Sequence, residues 1–279
     1  MSAAVLPIAR PSAALGARVA AKVVKYEVSN VLRSRWLLAY ALFFVIATDA
    51  LLRFGGDGTK ALLSLVSVVL FIIPLVGVVF GTTYLYDARE FTELLLAQPI
   101  GRRGLFAGLF LGLALPLSLG FAAGVALPFA WHGFDAPGQP AALATLLAVG
   151  VALTFVFVAL AFVIALRSDD KVRGLGAAIG AWLLLGLLYD GLVLFVVALF
   201  GDWPLERPML ALMLANPIDL ARVLLLLHFD VSALMGYTGA VFQRFFAGAT
   251  GIAVAGAALA AWIAVPVAIG MRAFRRKDF

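Results

Sequence analysis

Six apolar runs, each long enough to cross a lipid bilayer, punctuate the chain at roughly 36–53, 61–86, 104–131, 141–166, 174–200 and 245–271. A helical span needs about 20 mostly apolar residues. The bilayer interior offers no partner for a free backbone N–H or C=O, so such runs become helices. The pattern predicts an all-α integral membrane protein with six transmembrane helices. Composition agrees, because 64% of the 279 residues are hydrophobic and only 13% are charged, against about 25% charged in ordinary soluble domains. Pro74, Pro116 and Pro266 fall inside runs two, three and six, where a missing N–H predicts a kink.

An even number of spans leaves both termini on one side, and basic residues choose that side. Sixteen of the 21 Lys and Arg residues lie with the termini, the 87–103 segment and the 167–173 segment, and five lie on the other face. The positive-inside rule makes the first set cytoplasmic. The expected location is therefore a cell inner membrane, multi-pass, with both termini in the cytoplasm. The net charge of +6 then marks cytoplasmic loops, and no nucleic-acid partner is expected.

Residues 1–35 read as a cytoplasmic tail followed by an interfacial helix over 14–34. Val24, Val28 and Val31 share one stripe, while Arg18, Lys22, Lys25 and Arg33 fall on another, the pattern of a helix lying along the headgroups. The alternative is a juxtamembrane basic cluster that only sets topology. The six-helix domain occupies 36–271, and a basic tail covers 272–279.

Within that domain, Asp87 to Arg103 is an amphipathic island between two spans. Acids come first, then Leu94, Leu95 and Leu96, then Pro99 as a stop, then Arg102 and Arg103. A plain connecting loop has no need of a helix of its own, so 87–98 reads as a surface for another protein to grip. On the outer side, 201–244 forms an excursion. Its Asn216-Pro217-Ile218-Asp219 run predicts a turn and a helix start with proline in the first turn. The following 220–227 run is too short to span and predicts a helix at, or dipping into, the outer interface.

Chemistry is sparse. The dipeptide Gly-Lys is absent from the chain, so no Walker loop can cradle a phosphate, and no zinc-protease HExxH or GxSxG elbow occurs. The chain is not expected to be an enzyme or to bind a cofactor or metal itself. With no cysteine, two histidines (His132 and His228) and five methionines, a soft-metal pathway lacks ligands. Asp190 lies inside run five, where a carboxylate costs at least ~2.5 kcal/mol by insertion scales and needs a partner. It reads either as a pathway acid or as a structural partner of Arg222, Arg244 or a backbone donor near the outer interface. Asp219 and Arg222, three apart, are placed to pair on one helix.

The Leu94-Leu-Leu-Ala-Gln-Pro-Ile-Gly-Arg102 run, the opening Lys25-Tyr-Glu-Val-Ser-Asn-Val-Leu-Arg-Ser-Arg-Trp36 and the closing Phe274-Arg-Arg-Lys-Asp-Phe279 together resemble ABC-2 type transporter permeases. Tyr189-Asp190, Asn216-Pro-Ile-Asp219 with Arg222, and overall length are similar to the permease subunit of nitrous oxide reductase maturation systems. The resemblance implies that 87–98 is a coupling helix seated in a cytoplasmic ABC ATPase subunit, which holds the ATP. Glu90, Phe91, Glu93, Leu94, Leu95, Leu96, Pro99 and Arg102 would form the ATPase-docking set, with Phe91 standing where many relatives have glycine. Arg102 and Arg103 would anchor the helix to headgroups. It further implies a permease homodimer in the bilayer, and a periplasmic β-helical protein engaging Asn216, Pro217, Asp219 and Arg222. Two functions compete: an ATP-driven transporter, for copper-site assembly or as a generic exporter of lipid or drug, and a mechanical relay that remodels a periplasmic partner without moving cargo. A secondary transporter using Asp190 as its coupling acid is a third class, but no inverted repeat supports it.

Overall fold

The computed structural model describes residues 24–97, 101–200, 206–228 and 249–277. The tail over 1–23, Pro99, Trp203-Pro204, the 229–244 part of the outer excursion with Arg244, and the first residues of run six lie outside the described residues. The described chain is all-helical. Helix α1 covers 24–32. It is followed by α2 (Arg35–Phe54), α3 (Gly58–Asp87), α4 (Arg89–Leu96), α5 (Arg102–His132) and α6 (Gln139–Arg167). Helix α7 (Lys171–Leu183) passes through a π turn (Leu184–Leu188) into α8 (Tyr189–Phe200). Helices α9 (Glu206–Leu214), α10 (Pro217–His228) and α11 (Ala249–Arg276) complete the order.

Six helical segments are long and apolar enough to cross a membrane: α2, α3, α5, α6, the α7–α8 pair, and α11 from Gly251. Helix α3 has 30 residues and, at about 1.5 Å per residue, exceeds the ~30 Å hydrocarbon thickness. The helix is therefore long enough to cross with tilt, and α4 follows directly at its end. Helical structure continues through Pro74, Pro116 and Pro266. The break that the sequence did not announce is the π turn in span five, just before Tyr189.

Helix α6 is the hub, packed against α3, α5, α10 and α11. Close approach of α3 and α6 depends on small residues, as in other membrane helix pairs. A Cβ placed on Gly81 would come 2.6 Å from the Ala161 Cβ. Aromatic side chains also pack between neighbouring helices: Phe106 and Phe110 set their rings against Phe162 at 5.8 and 5.9 Å, and Phe44 of α2 meets Phe121 of α5 at 5.1 Å. By contrast, Gly174 and Ala178 are the buried residues of α7, and α8 has none. Span five therefore presents its apolar surface outward.

Helices α9 and α10 bend against each other by 106°. The described part of the outer excursion thus dips inward, and α10 packs on α3, α6 and α11. Asn216 starts α10 as the sequence predicts. Its side-chain carbonyl accepts from the Ile218 N–H at 3.0 Å, satisfying one of the free donors of the first turn.

Candidate functional site

Helix α4 leaves α3 through Ala88 and runs for eight residues. Its periodicity splits the acids and leucines. Glu90, Glu93, Leu94 and Ala97 are exposed, and Leu94 retains 70% of its surface. These positions follow i, i+3, i+4, i+7, one face of a helix. Thr92 is buried at 1%, and Leu95 and Leu96 pack against the main core. Of the residues the sequence singles out, Glu90, Glu93 and Leu94 thus form an outward face, while Leu95 and Leu96 seat the helix. Phe91 points elsewhere again, stacking on Tyr26 of α1 with ring centroids 6.0 Å apart.

A polar lattice fixes the base of α4. Arg89 donates to the carbonyls of Ser168 and Asp169, both at 3.1 Å, and its guanidinium sits 4.6 Å over the Tyr86 ring, a favourable cation–π placement. The Tyr86 hydroxyl donates to the Ser168 carbonyl at 2.9 Å. Asp87 pairs with Lys171 at 2.6 Å. Asp170 caps α7 by accepting from the Val172 and Arg173 N–H groups. The connection between α6 and α7 is therefore a bracket for the base of α4.

The C-terminus closes the same lattice. Lys277 pairs with Asp169 at 3.0 Å and donates to the Leu166 carbonyl at 3.1 Å. Arg102 donates to the carbonyls of Arg275 and Lys277, each at 2.9 Å, offsetting the negative end of the α11 dipole. Arg102 thus ties the start of α5 to the end of α11 within this chain. The Lys277 ammonium, hydrogen-bonded to Asp169, holds that carboxyl below the usual carboxylate range. Because Asp169 is open to solvent, salt screens the pair.

Asp190 has its partner in Arg222, whose Nη1 lies 3.1 Å from both carboxylate oxygens. The same nitrogen lies 3.2 Å from Asp219, so one guanidinium serves two acids. Around this cluster, the Asn216 amide donates to the Leu185 carbonyl at 2.8 Å and to Asp219 at 3.1 Å. Leu185 lies within the π turn, so Asn216 takes up a carbonyl in the irregular stretch. The Tyr189 hydroxyl donates to the Leu212 carbonyl at 2.6 Å, and the Trp262 indole to that of Leu214 at 3.0 Å. Asn216 is fully buried, and Pro217 and Ile218 are buried with it. Asn216, Pro217, Asp219 and Arg222 therefore knit the α9–α10 wedge to span five. A pocket of about 160 Å³ opens beside them, lined by Ser67, Phe71, Trp182 and Arg222 among others.

At the end of the bundle away from α4, His132 lies 2.9 Å from the Asp49 carboxylate, which also accepts from Arg53 at 2.8 Å. No group of three or more His, Cys, Asp or Glu side chains converges as a metal site among the described residues. The His228 side chain is outside them.

Sequence reasoning passed over one buried acid. Glu27 of α1 is only 4% exposed and accepts from the Tyr84 hydroxyl at 2.6 Å. The available signal was its position within the Val24–Val28–Val31 stripe, where an acid faces the same way as the valines.

The family model for ABC-2 family transporter proteins matches residues 21–279. Over 275 residues the chain is 30% identical to the "Probable ABC transporter permease protein NosY" of Pseudomonas aeruginosa, an alignment covering 91% of this chain and 97% of that one. It is 28% identical over 279 residues to the protein of the same description from Stutzerimonas stutzeri, with the same shares covered. Taken with the six spans and the helix set between the second and third, these matches show that the chain is a multi-pass membrane protein belonging to the ABC-2 family of transporter permeases.

Proposed function

We propose that the chain is the membrane subunit of an ATP-driven complex in which α4 seats in a cytoplasmic ATPase subunit. The observation that carries this is the division of α4. One face, Glu90, Glu93 and Leu94, is turned outward with two carboxylates and a large apolar side chain. The other face is bound into the bundle. A helix braced at its base by Arg89, Asp87 and the 168–171 connection can pass force to α3 and α7, and α4 also lies close to α1. ATP binding shifts such a system only through contacts that differ between states, and the exposed face of α4 supplies a place for them. In this reading the α4 end is cytoplasmic, as the basic-residue count favours, and a second permease copy completes the assembly in an inner membrane.

The likeness to the two NosY proteins and the Tyr189-Asp190 and Asn216-Pro217-Ile218-Asp219 features support nitrous oxide reductase copper-site maturation as the process served. A periplasmic β-helical protein is then the outer partner. The packing favours a mechanical relay over passage of cargo. The buried polar residues of the spans are few, and Ser118 and Thr154 spend their hydroxyls on carbonyls of their own helices at 2.8 and 2.9 Å. The largest polar cluster of the spans, Asp190, Asp219 and Arg222, is likewise closed on itself by ion pairs. The outer α9–α10 wedge, tied to span five, would carry the movement outward.

Co-purification with the ATPase subunit tests the docking reading. Replacing Glu90, Glu93 and Leu94 together by alanine should abolish co-purification while the permease still inserts. Replacing the inward Leu95 should lower permease stability instead. Retention of the ATPase by the triple variant would refute this docking face.

A further inference from the structure

Helix α1 touches both the bundle and α4, and adjacent residues make the two contacts. Glu27 reaches the Tyr84 hydroxyl on α3 at 2.6 Å. Tyr26, about 100° round the helix, stacks on Phe91 of α4 at 6.0 Å with ring planes 24° apart. Gly112 of α5 makes the seat, because a Cβ there would collide with the Glu27 side chain. Helices α3 and α5 thus form a niche fitted to the Glu27 side chain.

A buried acid is a costly way to pack a helix. Burial of a carboxylate carries a desolvation cost that a single hydrogen bond offsets only in part, and an apolar side chain would fill the niche more cheaply. What an apolar side chain cannot do is fix register. Val24, Val28 and Val31 form a smooth stripe on which α1 could rotate or slide, whereas a Glu–Tyr hydrogen bond is satisfied in one position. Buried polar groups fix register in this way in other helical assemblies. We infer that Glu27 is a positioning residue: through Tyr84 it locks α1 in one register, and α1 through Tyr26 and Phe91 sets the angle at which α4 meets its partner. This rests on the reading of α4 as the docking helix.

The chain has no cysteine, so spin labels can be placed singly or in pairs without a background. Labels at Ser29 on α1 and Ala97 at the end of α4, both exposed, report the α1–α4 distance in the full-length permease, and ATPase affinity is read separately on unlabelled protein because Ala97 shares the outward face of α4. The informative variant is Glu27→Leu with Tyr84→Phe. Replacing both partners by apolar groups leaves no orphaned polar atom and keeps the fold. The expected result is a distance distribution about twice as wide and an ATPase affinity about 10-fold weaker. Glu27→Gln, whose side-chain carbonyl still accepts from Tyr84, should restore the narrow distribution and bring affinity within about 2-fold of the parent. A double variant with the parent's width and affinity would overturn the inference, since packing alone would then suffice. If the parent permease does not bind the ATPase, the docking reading fails. The width comparison still decides whether Glu27 sets the register of α1.

Discussion

Arg222 bonds both carboxylate oxygens of Asp190 through a single nitrogen, 3.1 Å from each, across 32 residues of sequence. That nitrogen also faces Asp219 at 3.2 Å. The guanidinium is therefore the ionic fastening between span five and the α9–α10 wedge, beside the Tyr189 and Asn216 hydrogen bonds, and the two acids are not equivalent to it. Removing Arg222 leaves two unpaired carboxylates, whereas removing one acid leaves a matched pair. Arg222→Ala should destabilise the folded protein by about 2–3 kcal/mol, below the ~3–5 kcal/mol of a fully buried pair because both side chains keep partial exposure. Asp190→Asn should cost less. Thermal unfolding in detergent ranks the two, and an equal or reversed order would contradict the arrangement.

The contact of α3 with α6 at Gly81 leaves no room for a side chain, with the hypothetical Cβ 2.6 Å from that of Ala161. Gly81→Val should force the helices apart and cost about 1–3 kcal/mol, the usual range for overpacking. Gly176→Val, where a Cβ would meet nothing within 4 Å, should be nearly silent. A matched unfolding series with both variants checks this.

Asp169 is held below the ordinary carboxylate range by Lys277. A carboxyl whose folded value is depressed contributes stability above its unfolded value, ~3.9 for aspartate, and loses it as pH falls through the folded value. The C-terminal clasp should therefore be intact at neutral pH and release only in strong acid. Asp169→Asn should remove that part of the acid dependence, and added salt should mimic it at neutral pH because the pair is exposed. Melting temperatures of parent and variant across an acid titration, at low and high salt, test the sign.

Sidedness follows from the alternation of six spans. Phe54, 87% exposed at the end of α2, and Val172, 79% exposed at the start of α7, lie at opposite ends of the bundle. Single cysteines at the two positions should react with an impermeant thiol reagent from opposite faces, Val172→Cys from the cytoplasm. Labelling of both from one face would contradict the topology.

Much of this architecture is legible in the sequence because lipid permits so few solutions. Apolar runs of span length become helices, and the observed ends lie within a few residues of the runs. The Asn216-Pro217 start of α10 is equally local, since the cap bonds a neighbour two residues on. What escapes is whatever depends on contacts between distant segments. Spacing alone leaves the partner of Asp190 open, and the packing of α10 beside span five brings Arg222 to it. The π turn at Leu184–Leu188 has no local mark either, because its carbonyl at Leu185 is met by Asn216 from another helix. The inward turn of Leu95 and Leu96 is a different case. The 3.6-residue period already separates them from Glu90, Glu93 and Leu94, and counting the leucines as one apolar block concealed it.

The central claim is that the outward face of α4 touches the ATPase subunit, and the lack of native cysteines allows a direct measurement. A single cysteine at Leu94, carrying a short photoactivatable crosslinker, should join the permease to the ATPase subunit in the assembled complex. The same probe at Phe54, at the far end of the bundle, should not. Crosslinking from Leu94 alone is the predicted result. An intact complex in which the Leu94 probe finds no ATPase subunit would contradict the account.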